Sequence, residues 1–426
     1  MKKIKKIFKT DGFFVFFGQF FKIAEENSFT SVKTALTNAR KESIIKAMER
    51  IYFDHAATTS LDPEVLEKML PYFSAEYGNA DSLHALGRKA MNAVDEARDK
   101  VAELLGAKPN EIYFTSGGTE SDNWAMFGGA YAQRRLGRKK VLVSAIEHHA
   151  VMASAEKLSE DGFDVQYLPV TASGKVDLDL AKTLLTGDTA LVAVMMANNE
   201  TGAIQPVKEL ATLAKEQGSL FFTDCVQAAP YLPLNVGELG VDTLALSAHK
   251  FYGPKGCGVL YIQNGVKMDR HILGGEQERG LRGGTTNVPA VVGLATAYEK
   301  TVRTMQETHR KLQRLRTLFL GKIACLDGVR INGDENGLPA IVNLQIDGVE
   351  NSAFLYKMDL QGVCLAAGSA CASASLKPSH VLTAMGLTEQ KAKSSVRFSF
   401  GKDNTEEEIL RGAELAVETV RSLRNF

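Results

Sequence analysis

An α/β fold, with a mainly parallel seven-stranded sheet and a smaller α+β region after it, is the architecture this sequence predicts. Three observations predict it. Between Leu61 and about Thr304, short apolar runs alternate with helical patterns, and strand–helix alternation builds parallel sheets. Several of the runs are apolar almost throughout, as in strands covered on both faces. Beyond residue 305 the alternation stops and a long charged helical pattern takes over.

The seven expected strands are Ile112–Thr115, Val141–Ala145, Val165–Val170, Leu191–Ala197, Leu220–Asp224, Thr243–Ser247 and Val259–Ile262. Helices lie between them. In Ala90–Leu105 the apolar residues Ala90, Val94, Ala97, Val101 and Leu104 keep steps of three and four, and Gly106 ends the helix. Tyr298–Leu320 reads as one helix with Leu312, Leu315 and Phe319 on a common face. A last helix starts near Thr405-Glu406-Glu407-Glu408, where acids suit the N-terminus. The expected division is an extension at 1–47, a large domain at 61–304, and a small domain made of 48–60 with 305–426.

The chain's 426 residues exceed what one core usually organises. Apolar content of 45% and charge of 23% are those of an ordinary soluble globular protein. Net charge is zero but uneven. Residues 1–47 carry +6 and the remainder −6, so the globular part is mildly acidic and direct nucleic-acid binding is not expected. Within the first 47 residues, lysines precede six phenylalanines crowded between Phe13 and Phe21. Gly18-Gln19 interrupts that run, Glu25-Glu26 stand where a signal peptide wants small residues, and the run is too short to span a bilayer. A surface-lying amphipathic helix is one reading. The favoured one is an extension outside the core, since Met48-Glu49-Arg50-Ile51-Tyr52-Phe53-Asp54 reads as a natural beginning.

The five cysteines are scattered without a CxxC pair, which excludes a disulfide framework and familiar zinc spacing, and no metal is expected. A reducing cytoplasm fits. One cysteine has unusual surroundings. In Ala366-Ala367-Gly368-Ser369-Ala370-Cys371-Ala372-Ser373-Ala374-Ser375 nothing is larger than Cys371 itself, so no bulky side chain ties the thiol to a core, and Gly368 relaxes the backbone.

Four strand ends carry the chemistry. After Ile112–Thr115 comes Ser116-Gly117-Gly118-Thr119-Glu120 opening a helix, where backbone N–H groups and the helix N-terminus favour a phosphate. After Val141–Ala145 comes Glu147-His148-His149, at the sheet edge where open α/β folds bind ligands. The run Leu220–Asp224 ends in a carboxylate that needs a cationic partner or hydrogen bonds. The protonated ring nitrogen of pyridoxal phosphate is one such partner. Thr243–Ser247 leads to His249-Lys250, and a lysine placed directly after an apolar strand suits a Schiff base with a cofactor aldehyde. Each feature has a plainer alternative: a glycine turn, a surface imidazole, a helix cap, an exposed lysine. Four at the ends of one sheet describe one cleft.

These residues, with Tyr52–Thr59, Phe114–Asn123, Asn198-Asn199-Glu200-Thr201-Gly202, Arg279–Thr285, the Cys371 loop and Ser394–Ser399, resemble the cysteine desulfurases of the NifS/IscS type, within the fold-type-I pyridoxal-phosphate enzymes. The resemblance runs from about Ile51 to the C-terminus. It implies that Lys250 binds the cofactor aldehyde, Asp224 pairs with the ring nitrogen, Gln227 bonds the ring hydroxyl, and His148 stacks on the ring and assists proton transfer. Gly118, Thr119, Ser247 and His249 hold the phosphate, with Thr285 reaching a neighbouring subunit's phosphate in a homodimer. Asn199, also near the cofactor, and Arg397 hold the substrate carboxylate. Cys371 takes sulfur from L-cysteine, leaves L-alanine, and passes the sulfur to acceptor proteins for iron–sulfur assembly or tRNA thiolation. Two serines usually precede the Gly-Ser-Ala-Cys run in this branch; here Ala366-Ala367 replace them. Cys225 and Cys257 are read as packing residues. The rival readings are a selenocysteine lyase, another aminotransferase-like enzyme, and, more remotely, a non-catalytic adaptor tethered to a membrane.

Overall fold

A computed structural model describes residues 50–368 and 378–425. The extension 1–47 and Cys371 lie outside the described residues. The main sheet has seven strands: β1 (Ile112–Thr115), β2 (Lys140–Ser144), β3 (Asp164–Leu168), β4 (Thr189–Ala193), β5 (Leu220–Asp224), β6 (Thr243–Ser247) and β7 (Gly258–Ile262). Their spatial order is β1-β7-β6-β5-β4-β2-β3. The pairs from β6 to β3 are all parallel, and β7 alone runs antiparallel to both its neighbours, β6 and β1. The carboxyl ends of β1, β2, β4, β5 and β6 therefore open on one edge.

Strands β1 and β4 to β7 are buried at every position, as their unbroken apolar runs require. Strand β3, at the sheet edge, is only partly covered, and its sequence alternates accordingly. The core between the sheet and α2 (Gly118–Arg134) is filled by Trp124, Met126, Val143, Leu191, Phe222 and Leu260. Helix α1 (Ala85–Leu105) ends on Gly106, whose φ of 65° is the left-handed cap conformation that glycine adopts without strain. Helix α3 (His149–Glu160) follows β2.

Helix α4 (Val288–Ile323) is continuous across residue 305 and packs on α1 and on α5 (Glu406–Arg424). It is longer than the periodic stretch Tyr298–Leu320 because Asn287 caps it upstream and its first turns, including Val291, Leu294 and Ala297, are buried as well. Helix α5 begins in a capping box: the Thr405 hydroxyl accepts from the Glu408 N–H at 3.1 Å and Glu408 Oε2 from the Thr405 N–H at 2.9 Å. A second sheet joins β8 (Val329–Asn332), β9 (Ile341–Ile346) and β10 (Ser395–Ser399), all antiparallel with β9 central. Phe53, Phe319, Phe398 and Phe400 pack beside it in edge-on and tilted pairs with centroids 4.7–6.5 Å apart. No helix among the described residues is long and apolar enough to cross a membrane, and no group of His, Cys, Asp and Glu among them is arranged to hold a metal.

Candidate active site

A cavity of about 180 Å³ opens where the parallel strands end. Ten of the twelve residues anticipated for the site line it: Gly118, Thr119, His148, Asn199, Asp224, Gln227, Ser247, His249, Lys250 and Arg397. Thr285 sits instead in an adjacent cavity with Ser116, Cys257 and Arg282, and Cys371 is outside the described residues. Segments leaving the ends of β1, β2, β4, β5 and β6 supply most of the cavity, and Ala56, Ala57 and Arg397 of β10 complete its lining.

Lys250 lies in a short helical turn after β6. Its Nζ donates to the carbonyls of Ala56 at 2.5 Å and Ala57 at 2.9 Å, which aims the amine across the cleft. Two residues on, Tyr252 holds a φ of 65°, a strained value for a residue with a side chain. The turn is fixed from outside: the Tyr252 N–H donates to Thr59 Oγ1 at 2.9 Å and its hydroxyl accepts from the Lys402 N–H at 2.7 Å.

Asp224 ends β5, buried, with Oδ1 accepting from the Val226 N–H at 2.8 Å. Burial pushes its carboxyl up to about 6, against the lowering pull of that N–H and of the Lys250 charge. Asp122 and Glu147 are buried nearby and are pushed well above the usual carboxyl range, by burial first and by the Asp224 charge as well. Of three neighbouring carboxyls, Asp224 is the one the site keeps readiest to ionise. Asp122 is a cavity residue that the sequence did not announce. Its signal was a carboxylate on α2 two positions before the buried Trp124.

His148 is the N-cap of α3, and its Nδ1 accepts the Ala150 N–H at 3.2 Å. Burial, with the Lys250 charge behind it, lowers the ring to about 4. At neutral pH the imidazole is uncharged, and a Nδ1 that accepts leaves the proton on Nε2. His249 is likewise lowered to about 4, by burial first, and its Nδ1 is 3.1 Å from Thr58 Oγ1.

Arg397, in β10, is fully buried. Its Nη2 pairs with Asp54 Oδ1 at 2.7 Å and its Nη1 donates to the Asn199 carbonyl at 3.0 Å, while Nε has no partner among the described residues. Asp54 is a second residue that carried no sequence-level role, although it sits in the Tyr52–Thr59 motif.

The cavity fits an aromatic ring bearing an aldehyde, a phosphate and a basic nitrogen. The Gln227 amide oxygen is buried without a partner among the described residues, in the cavity that Asp224 and Lys250 also line. Gly118 opens α2, and a Cβ there would lie 2.9 Å from Val226 Cγ2 and 3.5 Å from Ser247 Cβ, so the glycine leaves room at a helix N-terminus suited to phosphate. Cys225 and Cys257 are buried, and burial pushes the first well above the ordinary thiol range and the second up to about 12. Neither is disposed to be a thiolate.

The segment before Thr285 is held in an unusual shape. Glu278 and Arg279 have φ of 44° and 58°. Arg98 donates to both Glu278 oxygens at 2.8 Å, Glu278 Oε2 also accepts the Phe114 N–H at 3.1 Å, and Arg279 lies 4.0 Å over the Tyr113 ring. Arg98→Ala leaves the Glu278 carboxylate buried and unpaired and is expected to cost about 3–5 kcal/mol. Chemical denaturation monitored by circular dichroism checks this; an unchanged midpoint contradicts it.

Comparison with known proteins places this geometry among relatives. The family model Aminotransferase class-V matches residues 51–411. The chain is 43% identical over 393 residues to cysteine desulfurase IscS of Methanosarcina thermophila, covering 92% of this chain and 97% of that one. It is 45% identical over 382 residues to cysteine desulfurase IscS of Clostridium botulinum strain Hall, covering 89% and 96%. A solved NifS-like protein superposes with a TM-score of 0.82 at 36% identity, covering 88% of this chain and all of that one.

Proposed function

The chain belongs to the aminotransferase class-V family, as a pyridoxal-phosphate-dependent cysteine desulfurase of the NifS/IscS type, and from that premise we propose that it moves the sulfur of L-cysteine onto Cys371 and releases L-alanine. The observation that carries this reading is the convergence of Lys250, Asp224, His148 and Arg397 on one cavity.

Pyridoxal phosphate, when bound, withdraws electrons from the substrate Cα, which acidifies its proton and labilises the Cβ–sulfur bond. The residues divide the remaining work. Gly118, Thr119, Ser247 and His249 would hold the phosphate, Asp224 would keep the ring nitrogen protonated, and Gln227 would bond the ring hydroxyl. Lys250 would hold the aldehyde and take the Cα proton. His148, neutral with its proton on Nε2, would lie by the ring and donate or accept a proton at its ring nitrogens. Asn199 and the Nε of Arg397, without a partner among the described residues, would hold the substrate carboxylate.

The Cys371 thiolate attacks the substrate sulfur. A sulfur–sulfur bond forms as the Cβ–sulfur bond breaks, and its electron pair stays on carbon, where a proton completes alanine. The substrate sulfur is oxidised and its carbon reduced, so no outside oxidant is required. The persulfide then passes its sulfur to acceptor proteins of iron–sulfur assembly or tRNA thiolation. Thr285, outside the cavity of its own chain, is assigned to the phosphate held by the other copy of a homodimer. We place this work in the cytoplasm, where scattered thiols stay reduced.

Supplied with L-cysteine and a thiol reductant, the cofactor-loaded protein is expected to release alanine and sulfide in equal amounts, and Cys371→Ala to lose both. Undiminished alanine formation by Cys371→Ala would overturn the proposal.

A further inference from the structure

The motif Asn198-Asn199-Glu200-Thr201-Gly202 supplies Asn199 to the cavity, yet its most buried ionisable side chain, Glu200, has no part in the chemistry above. Glu200 is 2% exposed. Its turn is rigid: Asn198 Oδ1 accepts the N–H groups of Glu200 and Thr201, each at 2.9 Å, and the Thr201 hydroxyl at 3.2 Å. Asn343, from the central strand of the small sheet, donates to the Glu200 carbonyl at 3.1 Å.

Two described points of the chain, Ser379 and Gly368, face the carboxylate. Oε2 accepts the Ser379 hydroxyl at 2.6 Å. Gly368 approaches it too: a Cβ there would stand 3.1 Å from Oε2 and 3.4 Å from Oε1. Gly368 is not in the left-handed region, so what a side chain would disturb here is the close approach to this carboxylate. Both points have further moorings. Arg397 donates its N–H to the Ala366 carbonyl at 2.7 Å, and His380 Nε2 lies 2.9 Å from the Glu147 carbonyl while its ring packs on His149 at 4.8 Å. Gly368 and Ser379 are the residues between which Cys371 lies in sequence.

We infer that Glu200 is a positioning residue for the sulfur-transfer step, fastening the two chain positions that bracket Cys371 to the same turn that presents Asn199 to the substrate cavity. The inference rests on the reading that Cys371 receives the sulfur. Three described parts of the chain meet at this carboxylate. A misplacement of about 1 Å of a reacting group costs about a hundredfold in rate.

The test uses the full-length, cofactor-loaded enzyme and its Glu200→Ala, Glu200→Gln, Ser379→Ala and Cys371→Ala variants. Rapid-quench mass spectrometry follows sulfur arriving on Cys371, alongside the KM for L-cysteine and the visible absorbance of the bound cofactor. Glu200→Ala is expected to slow sulfur arrival about a hundredfold, with absorbance kept and KM within a factor of about two. Glu200→Gln, which keeps an acceptor for Ser379, recovers much of the rate. Ser379→Ala, which leaves the carboxylate in place, shows a smaller loss of the same kind. Wild-type sulfur arrival in Glu200→Ala overturns the inference, as does a loss of rate matched by loss of cofactor absorbance. Should Glu200→Ala fail to fold, Ser379→Ala decides, and an unchanged rate overturns it. Full alanine formation by Cys371→Ala would instead sink the parent reading, whatever Glu200 does.

Discussion

Lys250→Ala is expected to reduce alanine formation from L-cysteine by a thousandfold or more, in the range of roughly 10²–10⁴ that a general base alone contributes, because the same amine also holds the cofactor. Its position gives the reason. Nζ is held by two carbonyls, those of Ala56 and Ala57, which lie 194 and 193 residues away in sequence. The strained turn at Tyr252 fixes the backbone just beyond. The informative control is Lys250→Arg. A guanidinium can still donate to both carbonyls, but it stays protonated and forms no Schiff base. Steady-state alanine production, with circular dichroism to confirm the fold, checks both variants. If Lys250→Arg works at near wild-type rate, the lysine is a structural donor and its assigned chemistry is wrong.

The second large effect is expected at Arg397. Its Nη atoms each give one hydrogen bond, to Asp54 and to the Asn199 carbonyl, and the buried Nε, without a partner among the described residues, is a further donor for a substrate carboxylate. A hydrogen bond from a charged group to a carboxylate contributes about 1.5–3 kcal/mol, which corresponds to roughly 10- to 150-fold in affinity. Arg397→Lys is therefore expected to raise the KM for L-cysteine by one to two orders of magnitude, with a smaller change in kcat. A lysine places one point charge where Asp54, Asn199 and the substrate ask for a fork. Initial-rate kinetics over a range of L-cysteine concentrations separate the two terms. An unchanged KM contradicts the assignment.

Much of this was legible in the sequence, for reasons particular to each element. Buried strands announce themselves because every face is apolar. Leu220–Asp224 and Thr243–Ser247 have the bounds that their runs suggest, whereas Leu191–Ala197 gives way to Thr189–Ala193 because the apolar run continues past the paired residues into the cavity wall at Met195. The direction of β7 was not legible, since an apolar run carries no sign of its polarity. Within the site, the residues found by pattern are those at strand ends, where a polar group after an apolar run stands out. Asp54, Asp122 and Glu200 were harder. Each acts through a partner far away in sequence: Arg397 for Asp54, Asp224 for Asp122, Gly368 and Ser379 for Glu200. Pairings of that kind become visible only when the chain is folded.

The central claim is that substrate sulfur lands on Cys371. It is tested most directly by mixing the cofactor-loaded enzyme with L-cysteine in the absence of reductant, trapping thiols and persulfides with an alkylating reagent, and reading each cysteine peptide by mass spectrometry. The account predicts one added sulfur atom on the Cys371 peptide, with one alanine formed per sulfur carried, and none on the buried Cys225 or Cys257. Alanine formed with the added sulfur on another cysteine, or on no cysteine at all, would contradict it.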